Sequence, residues 1–236
     1  MIKKLSEAGK YHNEMGEENQ DVLCCAQNNK FSVISLADGV SACQEAKKGA
    51  EIACRAITEL FFKKADHFLE FDRELLTELV LSHILFELRR QAEADSKDLA
   101  DYSSTIESVL VDKRRERMLC FNLGDNIIMA AGMGKCRVLS MPADSSSGCC
   151  TTTTTGASSM ASVNIFYTDG IESVVLCSDG AWKQMFNKNR LKPEVFSMIS
   201  NNDYDRLKDF LSKQNCFDDY SFISMDIKQR NGRKSA

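Results

Sequence analysis

The sequence lacks any run of about 18 apolar residues, the length a membrane-crossing helix needs, so no membrane association is expected. It lacks an excess of positive charge. Its 30 Lys and Arg are outnumbered by 34 Asp and Glu, leaving a formal charge of −4, so no basic surface argues for nucleic acid. It lacks the apolar stretch of a secretion signal, because Met1 to Leu5 run directly into Ser6-Glu7. It has ten cysteines but no CxxC, and three histidines but no HExxH, so zinc-type ligand spacing is absent. His67 and His83, on or near helical segments, therefore read as structural. Without a secretion signal, the cysteines are expected as reduced thiols in a cytoplasmic protein. The phosphate-loop pattern GxxxxGK[ST] is missing too. Gly132-Met133-Gly134-Lys135 has the wrong spacing and lies between two strand-like segments, which makes it a hairpin turn.

What the chain does have is enough apolar material for one sizeable core: 236 residues, 43% of them hydrophobic. Val22–Gln27 and Phe31–Ala37 read as two strands joined at Asn28-Asn29. Two amphipathic helices follow, over residues 42–63 and 71–91. In the second, Leu75, Leu76, Leu79, Val80, Ile84 and Leu88 form a wide apolar stripe. The middle is strand-rich: 105–111, 117–123, 126–131, 136–140, 163–167 and 172–177. Asp112–Arg117 forms a charged hairpin tip, and Asp169-Gly170 is a further hairpin signal. Helical segments over 192–200 and 204–213 precede a last strand that ends at Ile227. Helices and strands are grouped rather than alternating, which favours a layered α+β fold over a βαβ sheet. The Ser- and Thr-rich segment 144–161 reads as a flexible surface loop, with a functional flap as the alternative, and the basic tail 228–236 as disordered.

Two apolar runs end in an aspartate followed by glycine: Phe31–Ala37 before Asp38-Gly39, and Val174–Ser178 before Asp179-Gly180. Each reads as a buried strand that delivers a carboxylate to the sheet edge. Asp218-Asp219 precedes the last strand and supplies a third acidic position. Carboxylates gathered this way repel one another unless a cation neutralises them, so the pattern points to a hard-metal site of oxygen ligands.

The ordered motifs Asn19-Gln20-Asp21, Ala37-Asp38-Gly39-Val40, Ser103-Ser104-Thr105, Asn122-Leu123-Gly124-Asp125, Leu176-Cys177-Ser178-Asp179-Gly180 and Asp218-Asp219-Tyr220-Ser221 span nearly the whole chain. Singly they are weak, since Asp-Gly is a common turn. As an ordered set the chain resembles the metal-dependent Ser/Thr protein phosphatase family of the PPM or 2C type, in its compact bacterial branch. The resemblance implies a four-layer α-β-β-α sandwich of two antiparallel sheets with helices on both outer faces, as a single domain over 1–227. It implies that Asp38 bridges two Mg²⁺ or Mn²⁺ ions and that the Gly39 carbonyl binds one of them. By the same resemblance Asp179 and Asp218 complete the first ion's carboxylates, Asp21 stands beside the second ion, and Asp125 joins a weaker third. Two ions about 3.5–4 Å apart can share a hydroxide that attacks phosphorus in line, so no nucleophilic side chain is needed. Asp219 remains the alternative ligand to Asp218.

Three departures from the family pattern stand out. Gln20 replaces a Glu that many members carry beside the second metal. The Arg that usually holds the substrate phosphate is missing, and His12 is the candidate to bind phosphate or protonate the leaving group, a surface or turn histidine being the plainer reading. The stretch between Ser140 and Val163 is short for a substrate flap. The expected substrates are phosphoserine and phosphothreonine proteins in bacterial signalling, opposite a cognate Ser/Thr kinase. The competing expectations are a pseudophosphatase that binds phosphoproteins or a kinase without turnover, supported by Gln20 and the missing Arg, and a phosphatase of small phosphoesters.

Overall fold

A computed structural model describes residues 1–140, 153–156 and 161–227. The tail over 228–236 and most of the Ser/Thr-rich segment lie outside the described residues. Twelve strands and six α-helices are described. One five-stranded antiparallel sheet contains β2 (Asp21–Gln27), β3 (Phe31–Asp38), β4 (Ile106–Asp112), β5 (Arg117–Leu123) and β8 (Ser162–Tyr167), in that spatial order. The other contains β1 (Ile2–Glu7), β12 (Tyr220–Asp226), β9 (Ser173–Cys177), β6 (Ile127–Gly132) and β7 (Lys135–Ser140). A two-stranded ribbon, β10 (Phe186–Asn187) with β11 (Arg190–Leu191), stands apart. The helices are α1 (Lys10–Met15), α2 (Ala46–Phe68), α3 (Arg73–Asp95), α4 (Asp179–Met185), α5 (Pro193–Ser200) and α6 (Tyr204–Leu211).

Three hydrophobic layers hold these elements together, and the two-residue strand period assigns each side chain to its layer. On β3, Phe31, Val33 and Ala37 face α2 and α3, while Ile34 and Leu36 face the second sheet. On β9, Val174 and Leu176 face the first sheet, while Val175 and Cys177 face α4, α5 and α6. Both faces of these strands are buried, which explains why they read as continuous apolar runs rather than alternating ones. The order helices, sheet, sheet, helices is the expected α-β-β-α sandwich.

Several boundaries moved for identifiable reasons. α2 begins at Ala46 rather than 42, because the preceding backbone is spent on turn and long-range bonds: Cys43 N–H to the Val40 carbonyl (2.8 Å) and Glu45 N–H to the Asp101 carbonyl (3.0 Å). It runs on to Phe68 because Phe61, Ala65 and Phe68 extend the buried stripe. α3 starts where Asp72 caps the Glu74 and Leu75 N–H groups. The Asp169-Gly170 turn is not a hairpin. It carries the chain from β8 in one sheet to β9 in the other, so its flanking strands are not partners. The sequence pattern could not separate a turn within a sheet from a corner between sheets. The structure adds β1, α1 and α4 to the elements that the sequence pattern marks. Among the described residues every cysteine is a free thiol.

Candidate metal centre

The two Asp-Gly turns and the Asp218-Asp219 turn meet at one end of the sandwich. Asp21 and Asp38 occupy directly opposite positions on β2 and β3. They lie on the face turned toward the second sheet, by the same alternation that sends Val22 and Ala37 toward α2. Like charges directly opposite on neighbouring strands are destabilising. Thr105 fixes the end of β3: its N–H donates to the Asp38 carbonyl at 2.8 Å, and its hydroxyl accepts from the Asp38 N–H at 3.2 Å. Asp179 opens α4, so its carboxylate enters from the other sheet at the first turn of a helix rather than in an open loop. Trp182, on the same helix, donates its indole N–H to the Asp125 carbonyl at 2.8 Å and ties that loop to α4.

Close backbone approach holds the third turn in place. A Cβ on Gly180 would lie 2.1 Å from the Asp219 carbonyl oxygen, and one on Gly9 would lie 2.2 Å from the Asp218 carbonyl carbon. Only glycine lets these segments press together.

The result is a cavity of about 390 Å³ lined by Asp38, Gly39, Asp125, Asp179, Asp218 and Asp219, with His12, Tyr11 and Thr105 also in its wall. Asp21 stands behind this wall. It is 2% exposed, and among the described residues neither of its carboxylate oxygens has a hydrogen-bond partner of proper geometry. Burial drives its pKa up to about 7; the hydroxyls of Ser221 and Ser178 oppose the rise, and the charges of Asp219 and Asp179 add to it. Burial also raises Asp38 well above the usual carboxylate range, reinforced by repulsion from Asp21, Asp179, Asp125 and Asp219. Asp218 is raised more modestly, by burial and then by Asp179.

The two neighbours Asp218 and Asp219 differ sharply. Asp219 is buried, and its carboxylate is fully engaged. Oδ1 accepts from the Gly9 N–H at 2.8 Å and lies 2.8 Å from His12 Nδ1, while Oδ2 accepts from the Gln20 N–H at 2.6 Å. Asp218 is exposed on the cavity side. Asp219 is thus the buckle that fastens the N-terminal segment 9–20 to β12. His12 reaches the cavity wall, but its ring is buried, with Nε2 3.7 Å from Glu17. The Gln20 side-chain oxygen is buried without a partner among the described residues.

Among the described residues, no three of His, Cys, Asp and Glu stand close enough to form one closed ligand set. The carboxylates surround the cavity instead of converging on a point. That arrangement fits a hard cation such as Mg²⁺, which keeps several waters and takes one or two carboxylates directly. Burial first, and then repulsion among the carboxylates, raises Asp38, and a cation in the cavity would offset both.

The model of the protein phosphatase 2C family matches residues 8–214. The chain belongs to that family. Membership makes it a phosphatase, a metal-dependent hydrolase of phosphate esters. The matched span ends just before Asp218, so that position is placed by the structure rather than by the family match. Solved relatives share the fold at low sequence identity. A bacterial serine phosphatase is 14% identical with a TM-score of 0.71, covering 98% of this chain and 99% of its own. The Ser/Thr phosphatase Stp1 of Staphylococcus aureus is 13% identical with a TM-score of 0.68, covering 97% and 95%. RsbX, solved in complex with magnesium, is 13% identical with a TM-score of 0.56, covering 95% and 94%. No curated protein sequence matches the chain.

Sequence reasoning missed several residues of this site. Tyr11 and Lys183 carried no motif. Thr153 belongs to the segment read as a surface loop, yet it lines the cavity, and its neighbour Thr154 is buried, with its N–H donating to the Ser104 carbonyl at 2.8 Å.

Proposed function

We propose that this phosphatase is one domain over residues 1–227 that removes phosphate from phosphoserine and phosphothreonine in proteins, in a bacterial kinase–phosphatase signalling pair. The cavity would hold two Mg²⁺ or Mn²⁺ ions, with Asp38 shared between them and the Gly39 carbonyl, Asp179 and Asp218 as further ligands. Asp21 would support the second ion from behind the wall, and Asp125 would be the candidate for a weaker third. Such ions supply an activated water as nucleophile and neutralise the phosphoryl oxygens. The observation that carries this reading is the convergence of Asp38, Asp125, Asp179 and Asp218 from four separate segments on one cavity.

The chain's own residues do the positioning. Thr105 holds the end of β3, so Asp38 projects from a rigid strand rather than a loop. Asp219 leaves Asp218 free for the cavity by taking the structural load. His12, in the cavity wall, would bind a phosphoryl or leaving-group oxygen once its ring is uncovered, since both ring nitrogens are buried, Nδ1 2.8 Å from Asp219 and Nε2 3.7 Å from Glu17.

The test is hydrolysis of a phosphothreonine peptide and of an aryl phosphate with Mn²⁺, with Mg²⁺ and with excess chelator. Activity should require metal, disappear in Asp38→Ala and fall in His12→Gln. An Asp38→Ala protein that kept most of its activity would refute the metal assignment. A folded wild type inactive with every metal would return the weight to phosphoprotein binding without turnover.

A further inference from the structure

One cation already stands among these carboxylates. Lys183 lies one turn after Asp179 on α4, and its Nζ donates to Asp179 Oδ2 at 2.6 Å. A lysine four residues after an acid is commonly a surface helix pair. Here the partner is different. The Asp179 side chain is only 16% exposed and lines the cavity, while Lys183 is half-exposed. The charges of Asp218 and Asp125 act on the same ammonium. α4 is anchored through Trp182, both by its bond to the Asp125 carbonyl and by its edge-on packing against Phe186, so the root of Lys183 is fixed. Its stem remains flexible and its head can reach solvent.

We propose that Lys183 is an internal counter-ion of the metal centre: its ammonium holds the Asp179 oxygen that a divalent ion would use, and it must swing out before that ion binds. Two cations cannot share that oxygen at contact distance without strong repulsion. Lys183 therefore lowers the affinity of the site for metal. It also relieves carboxylate repulsion in the metal-free protein. The inference rests on the metal-centre reading above and adds the residue that tunes its affinity.

The test is calorimetric titration of Mn²⁺ into chelator-stripped wild type, Lys183→Met and Lys183→Arg, each shown to be folded by circular dichroism. Lys183→Met keeps the length of the stem and removes the charge, and should bind Mn²⁺ about fivefold more tightly, the scale of a partly exposed ion pair. Lys183→Arg keeps the charge and should keep the wild-type affinity. Thermal unfolding without metal should show Lys183→Met destabilised, which a purely structural lysine would also produce, so the affinity is the deciding readout. An unchanged or weaker Mn²⁺ affinity in Lys183→Met would overturn the proposal, and so would equal tightening in Lys183→Arg. Absence of Mn²⁺ binding in all three folded proteins would instead overturn the metal-centre reading, and this inference with it.

Discussion

Adjacent aspartates with opposite duties give the sharpest test. Asp219 is 5% exposed, and its carboxylate meets two backbone N–H groups, of Gly9 and Gln20, and the His12 ring. Asp219→Ala leaves both N–H groups without their acceptor and removes the carboxylate beside the His12 ring. A buried donor that loses its partner costs about 1–3 kcal/mol, and such losses within one network are not additive. Removing Asp219 also relieves its repulsion of Asp38 and Asp21, which offsets part of the loss. The expected net cost is about 3–5 kcal/mol, the range for breaking a buried charged network. Asp218→Ala removes an exposed side chain and should change stability by no more than about 0.5 kcal/mol. Urea unfolding in chelator reads both. With a slope of about 2–3 kcal/mol per molar, the Asp219→Ala midpoint should fall by about 1–2.5 M while that of Asp218→Ala barely moves. Mn²⁺ titration should show the reverse order, with Asp218→Ala losing affinity and Asp219→Asn, which keeps an acceptor oxygen, retaining most of it. Equal midpoint shifts for the two alanine variants would refute the division of labour.

Two further outcomes follow from buried groups near the cavity. Glu107 on β4 is fully buried, bonded to Asn122 through one oxygen and, among the described residues, unpartnered at the other, and burial holds its carboxyl well above the usual range. The folded protein therefore keeps a proton that the unfolded chain releases at ordinary carboxylate pKa, so stability from this group is lost as pH rises above that value. Glu107→Gln should flatten the fall in unfolding free energy, read from urea curves between pH 5 and pH 8, by about 1 kcal/mol or more; parallel pH profiles for the two proteins would contradict the assignment. Gln20→Glu adds a carboxylate beside Asp219 and Asp21, where the amide oxygen is now buried without a partner among the described residues. It should tighten Mn²⁺ binding several-fold and lower metal-free stability by about 1 kcal/mol through like-charge repulsion; an unchanged titration would show that residue 20 does not face a metal.

Much of the architecture was legible because burial on both faces leaves a mark in one dimension. β3, β5 and β9 are apolar on both sides and stand out as short continuous runs, and the stripe of α3 carries the helical period. The segments that escaped notice lack that mark. β1 is mostly polar at the edge of its sheet, with only Leu5 buried. α1 buries a single residue, His12. Neither can be told from a loop by period alone.

The site divides along the same line. The sequence by itself determined which carboxylates end apolar strands, because a strand's period and its terminating Asp-Gly are local properties. Only the tertiary structure decided which of them share a cavity and which is spent on the fold. Local pattern does not separate Asp218 from Asp219, and only the family resemblance favoured Asp218; pairing of β12 with β1, and the docking of Gly9 and Gln20 on one carboxylate, turn one outward and bury the other. Lys183 is likewise an ordinary lysine in the sequence. It becomes a counter-ion only because α4 starts at Asp179 and brings its fifth residue back over that carboxylate, a consequence of the 3.6-residue turn that no motif records.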